Sequence, residues 1–165
     1  MELHERYRQN ALSYCVAASK LDAEETNDFI SPVSLCLAFA IELYLKCVLL
    51  KAGKTDGHLA RQPFGHDLWS MWEMPELSGC RDQAKIHAES CYQDLVGAGS
   101  LHRPIPVPDT LNKHLEDLSK LHTSASGMPL RYPTKRTQVP DASLMICVFE
   151  RLIRAEQYGD MIERI

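Results

Sequence analysis

The stretch Ser31-Pro32-Val33-Ser34-Leu35-Cys36-Leu37-Ala38-Phe39-Ala40-Ile41-Glu42-Leu43-Tyr44-Leu45-Lys46-Cys47-Val48-Leu49-Leu50-Lys51-Ala52-Gly53 decides the fold. Serine caps a helix by accepting a first-turn N–H, and the proline that follows fits that turn without losing a needed donor. Gly53 is a good C-terminal stop. The segment therefore predicts one helix over about 32–52, roughly 30 Å long at 1.5 Å per residue. Between Ser31 and Leu50 its only charged residues are Glu42 and Lys46, near the middle. A bilayer span of this length would put each charge in hydrocarbon at a cost of a few kcal/mol, and no second segment of the kind exists. A helix apolar nearly all round belongs instead at the centre of a helical core.

Working outward, Leu3, Tyr7, Ala11, Tyr14, Cys15 and Ala18 mark one face of a first helix, Leu3 to about Leu21, ended by the polar run Asp22 to Asp28. Lys54 to Gly65 reads as a loop, and Asp67 as the cap of a short helix, Leu68 to Met74, stopped by Pro75. Another helix is expected from about Arg81 to Val96. The run Pro104-Ile105-Pro106-Val107-Pro108 predicts an extended strap. Asp109 should then cap a helix carrying Leu111, Leu115, Leu118 and Leu121, followed by a long loop from Thr123 to Pro140. The last helix starts at Pro140-Asp141 and carries Leu144, Met145, Val148, Phe149, Leu152 and Ile153 at helical spacing. Period-two alternation is absent. The expected fold is all-α, a four- to five-helix up-down bundle with a long central buried helix, in a single domain over residues 1–165.

A net charge of -4 excludes a broadly basic surface, so a nucleic-acid partner would be held by a local patch. The six cysteines form no C-x-x-C pair and four lie in apolar helical patterns, which predicts reduced, buried thiols. Charges in Met1-Glu2-Leu3-His4-Glu5-Arg6 interrupt any signal-peptide core, so a cytoplasmic location is expected.

Three groups of residues have chemical potential. Glu42 and Lys46 stand four apart, carboxylate first, as an i,i+4 pair. It is either a self-satisfied core pair or a phosphate-binding lysine held by its glutamate. Gly65-His66-Asp67-Leu68 opens a helix, where free N–H groups favour anions; His66 is placed to touch phosphate or move a proton, or else packs beside a plain Asp67 cap. Arg131-Tyr132-Pro133, with Lys135 and Arg136 behind it, joins a guanidinium fork to a stacking ring, or is simply solvated loop charge. His87 with Cys91 and Cys80, and His114 with His122, give no three-ligand metal spacing. Neither G-x-S-x-G nor a glycine-rich phosphate loop occurs. No metal or cofactor is expected.

The order Ala40-Ile41-Glu42-Leu43-Tyr44-Leu45-Lys46, Gly65-His66-Asp67-Leu68, Arg131-Tyr132-Pro133 resembles the HEPN superfamily of small helical bundles. The resemblance spans roughly residues 30 to 150. It implies a domain that dimerises and binds a nucleotide or RNA through Glu42, Lys46, His66, Asp67, Arg131 and Tyr132, with an antitoxin or nucleotidyltransferase as further partner. Nuclease members of the superfamily use an Arg, four to six residues, then a His. Arg61 to His66 and Arg81 to His87 fit that spacing and imply, as the alternative, a metal-independent endoribonuclease. A third reading is a non-catalytic structural or regulatory partner.

Overall fold

The computed structural model describes residues 1–24, 30–61, 64–99, 107–123, 130 and 142–162. These residues form seven α-helices and one 3₁₀ turn, with no strand among them. Five helices are long: α1 (Leu3–Asp22), α2 (Ile30–Lys51), α5 (Ser78–Gly97), α6 (Val107–His122) and α7 (Ser143–Ile162). Between α2 and α5 lie the one-turn α3 (Asp56–Leu59), the short α4 (Leu68–Trp72) and the 3₁₀ turn Pro75–Leu77.

α2 is the central element, as its composition demands. Leu37, Ile41, Leu45 and Leu49, one turn apart, are fully buried, and so are Ala38, Ala40 and Cys47 on other faces. Each fully buried leucine or isoleucine contributes about 1.5–3 kcal/mol of transfer free energy. Pro32–Lys51 is long and apolar enough to cross a membrane, yet two-thirds of that window (67 %) is buried inside the fold. The helix ends in paired reverse bonds, Gly53 N to Leu50 O and Lys54 N to Leu49 O, both 3.0 Å. That closure needs a left-handed residue, which Gly53 supplies with φ of 89°.

α1 packs on α2 as a hairpin through small residues, Ala11, Cys15 and Ala18, all fully buried. The Tyr14 and Phe39 rings stack above them with centroids 5.3 Å apart. α5 uses the same device, Ala84, Ala88 and Cys91, against α7. α7 brings the bulk: Met145, Val148, Phe149 and Ile153 are fully buried, with Phe149 against the rings of Tyr44 (6.2 Å) and Trp72 (6.0 Å).

Several local expectations change. The Lys54–Gly65 loop contains α3, because Thr55 Oγ1 accepts from His58 N at 3.3 Å and caps a single turn. α4 stops at Trp72, and Pro75 opens a 3₁₀ turn that leads directly into α5 at Ser78, three residues before the expected start. α6 begins at Val107, so Pro108 and Asp109 lie in its first turn; the last proline of the run starts a helix instead of prolonging a strap. The rest of that strap, the 124–129 and 131–140 parts of the long loop, and the start of the last helix at 140–141 lie outside the described residues.

The expectation of six reduced thiols is corrected. Cys91 on α5 and Cys147 on α7 form a disulfide, with Cα atoms 5.9 Å apart across 56 residues of sequence. Their pairing depends on α5 and α7 being neighbours, which cysteine spacing does not encode. Closing a loop of that size contributes about 2–4 kcal/mol, mainly by restricting the unfolded chain. Reduction with dithiothreitol should therefore lower the melting temperature by roughly 5–15 °C. The Cys91→Ala/Cys147→Ala protein should already melt low and ignore the reductant; an unchanged wild-type midpoint would contradict the bridge.

Candidate functional site

Glu42 sits at the middle of α2 with 5 % of its surface exposed. Its carboxylate is the meeting point of three chain segments. Lys46, one turn further along α2, donates from Nζ to Oε1 at 2.7 Å. His122, the last residue of α6, donates from Nε2 to Oε2 at 2.7 Å, and His66, in the turn before α4, donates from Nδ1 to the same oxygen at 3.0 Å. These bonds fix the tautomers: each imidazole keeps its hydrogen on the nitrogen that faces the ionised carboxylate. The rings meet edge to face, centroids 5.5 Å apart, and Phe39 stands edge to face against His122 at 5.1 Å.

Burial on its own pushes the Glu42 carboxyl upward. The His122 hydrogen bond, the Lys46 charge and the bonds from His66 and Lys46 outweigh it and hold the group down at about 2. Glu42 is thus an anion across the whole physiological range, and Lys46 balances its charge.

The histidines differ in access. The His122 side chain is 0 % exposed and that of His66 is 36 % exposed. The outer nitrogen of His66, Nε2, is uncommitted among the described residues, so the cluster meets solvent through this ring. His122 Nδ1 is buried without a hydrogen-bond partner among them.

Asp67 turns out to be a cap. Its Oδ1 accepts from Ser70 N and from Ser119 Oγ, both at 3.0 Å, and Oδ2 accepts from Ser70 Oγ at 2.8 Å. Ser119 Oγ also accepts from Trp69 N at 3.0 Å. Two of the first-turn N–H groups expected to receive an anion, those of Trp69 and Ser70, are consumed inside the fold. This network has its own use: it ties the turn carrying His66 to the end of α6 that carries His122.

Neither Arg–His pair is joined by a hydrogen bond among the described residues. Arg81 donates through Nη1 to the carbonyls of Trp72 and Met74 (3.0 Å for the latter), which closes the end of α4. His87, two turns along α5, lines a separate cavity of about 280 Å³ with Tyr44, Val48, Cys80 and Glu156. Burial, then the Arg151 charge, lower its basicity. Arg61 is exposed, and its carbonyl accepts from Gly65 N at 3.0 Å, shaping the turn before His66. Arg131 and Tyr132 lie outside the described residues.

The residue missed from sequence is His122. The clue was its place in the stripe Leu111, Leu115, Leu118, His122, where helical spacing calls for a fourth apolar side chain. Leu111, Leu115 and Leu118 are buried to 2 % exposure or less, and His122 continues them at 1 %.

No family model, curated protein or solved structure matches this chain.

Proposed function

We propose that this chain is a HEPN-like domain, a four- to five-helix up-down bundle that acts as a homodimer and binds the phosphate of a nucleotide or RNA at His66. One observation carries the reading: two of the three motif segments, Glu42–Lys46 and Gly65-His66-Asp67, are brought together on a single carboxylate. Glu42 and Lys46 neutralise each other, so protonation of His66 leaves the cluster with one net positive charge at its accessible edge. A phosphate oxygen placed there receives a charge-assisted bond from Nε2–H. The antiparallel hairpin of α1 and α2, with α7 across both, supports the bundle.

A bond of this kind is worth about 1.5–3 kcal/mol. His66→Ala should therefore weaken binding of ADP or a short oligoribonucleotide at least about tenfold by calorimetry. Its far-ultraviolet circular dichroism should match the wild type, since His66 is half-buried in a turn. Equal affinity in the two proteins, measured in EDTA, overturns the proposal.

One observation favours a second reading, the metal-independent endoribonuclease. Glu42 holds His66 by Nδ1 with Nε2 turned outward, the arrangement in which a carboxylate orients an imidazole for proton transfer. Incubation with total RNA in EDTA separates the two: cleavage lost in His66→Ala supports the enzyme, and intact RNA supports the binding module.

A further inference from the structure

His122 is poorly explained as a structural residue. It occupies a leucine position, its side chain is wholly buried, and its hydrogen bond goes to a carboxylate that Lys46 already neutralises. Its Nδ1 has no partner among the described residues. A buried polar atom without a bond costs free energy that a leucine would avoid. The position calls for a use that only an imidazole serves.

Glu42 Oε2, His66 Nδ1 and His122 Nε2 all lie within 4.8 Å of one another. We infer that these three atoms form a binding site for a transition-metal dication of the zinc class, a role beyond phosphate binding that draws on the same His66 ring through its other nitrogen. Two imidazoles and one carboxylate make a three-donor set that leaves a fourth position open. Imidazole donors select zinc-like ions over magnesium and calcium, which prefer oxygen alone.

The geometry needs little adjustment. Donors about 2.1 Å from a tetrahedral ion stand about 3.4 Å apart, while the carboxylate oxygen lies 2.7 Å and 3.0 Å from the two nitrogens. Lengthening these two contacts by about 0.7 Å and about 0.4 Å admits the ion. The donors are held from behind: Lys46 stays on Oε1, leaving Oε2 to the metal, and the Asp67–Ser119 bond fixes the two segments that carry the imidazoles. This supplies part of the outer support of a ligand set; the far nitrogen of His122, Nδ1, has no partner among the described residues.

Proton balance follows from the tautomers. Each imidazole turns a lone pair toward the ion, and its hydrogen moves to the far nitrogen, Nδ1 of His122 and Nε2 of His66, with no net release. With Glu42 and Lys46 cancelling, the ion keeps its full charge. An anionic oxygen, hydroxide or phosphate, would complete the coordination of a bound ion.

The untagged full chain, stripped with EDTA and dialysed, tests the site through titration with Zn²⁺ by calorimetry and with Co²⁺ by visible absorption. One equivalent should bind, and Co²⁺ should show the d–d bands of a four- or five-coordinate ion without a thiolate charge-transfer band. His66→Ala and Glu42→Gln should weaken binding by about 100-fold or more, and Cys36→Ser should leave it unchanged. Because His66 is the accessible donor in a turn, His66→Ala remains informative even where Glu42→Gln fails to fold. Absence of saturable binding, a thiolate band, or equal affinity in wild type and His66→Ala overturns the assignment.

Discussion

Glu42→Ala is expected to cost about 3–5 kcal/mol of folding stability, a large share of the roughly 5–15 kcal/mol available to a typical domain. The loss is not that of one ion pair. It leaves the Lys46 ammonium, 7 % exposed, without its counter-charge, and takes the hydrogen-bond acceptor from a fully buried imidazole. Glu42→Gln keeps the shape and one accepting oxygen, so it should cost less. Urea denaturation of the EDTA-treated proteins measures both, and wild-type stability in Glu42→Ala would remove the carboxylate from the centre of the fold. Acid provides an independent check. The folded carboxyl titrates at about 2 against an ordinary 4.5. Its contribution is therefore complete above about 4.5 and is lost as pH falls toward 2. Glu42→Gln should flatten that part of the stability profile.

Phe149→Ala should cost a comparable 3–5 kcal/mol or about that, for a different reason. Phe149 is fully buried where α7 crosses α2 and α4, with the rings of Tyr44 and Trp72 beside it. Truncation removes the apolar transfer term and leaves a cavity between rigid aromatic neighbours that cannot close over it. Phe149→Leu fills most of the space and should cost about 1–2 kcal/mol. A chemical-denaturation midpoint within error of wild type for Phe149→Ala would mean that this crossing is loosely packed.

The central helix was legible because its signals agree: a stretch almost free of charge, a proline that a first turn tolerates, and a glycine whose positive φ the terminal turn requires, although the helix starts at Ile30 and so takes Ser31, the expected cap, into its first turn. Asp67 was legible as a cap for the same local reason. What local pattern could not supply was pairing between distant segments. Nothing near Cys91 points to Cys147, and nothing near Glu42 points to His122, 80 residues away. Arg81 and His87 illustrate the opposite failure. Their spacing suggested joint chemistry, yet Arg81 is spent on the carbonyls of Trp72 and Met74, contacts set by how the 3₁₀ turn delivers α5 against α4. Both stand on the regular helix α5, where a separation of six turns the two side chains about 120° apart, so spacing reports chemistry only where it matches the period of the backbone between the residues.

The Glu42 carboxylate draws its partners from α2, from the turn before α4 and from the end of α6, and so it is assembled only when all three are in place. The unfolded chain offers no equivalent. Any molecule or ion that occupies the cluster must shift the folding equilibrium of the whole domain, by about 2.7 kcal/mol at a hundred times its dissociation constant. The melting temperature is thus a direct gauge of occupancy, and a thermal-shift screen across metal ions and nucleotides reads which of them the cluster holds.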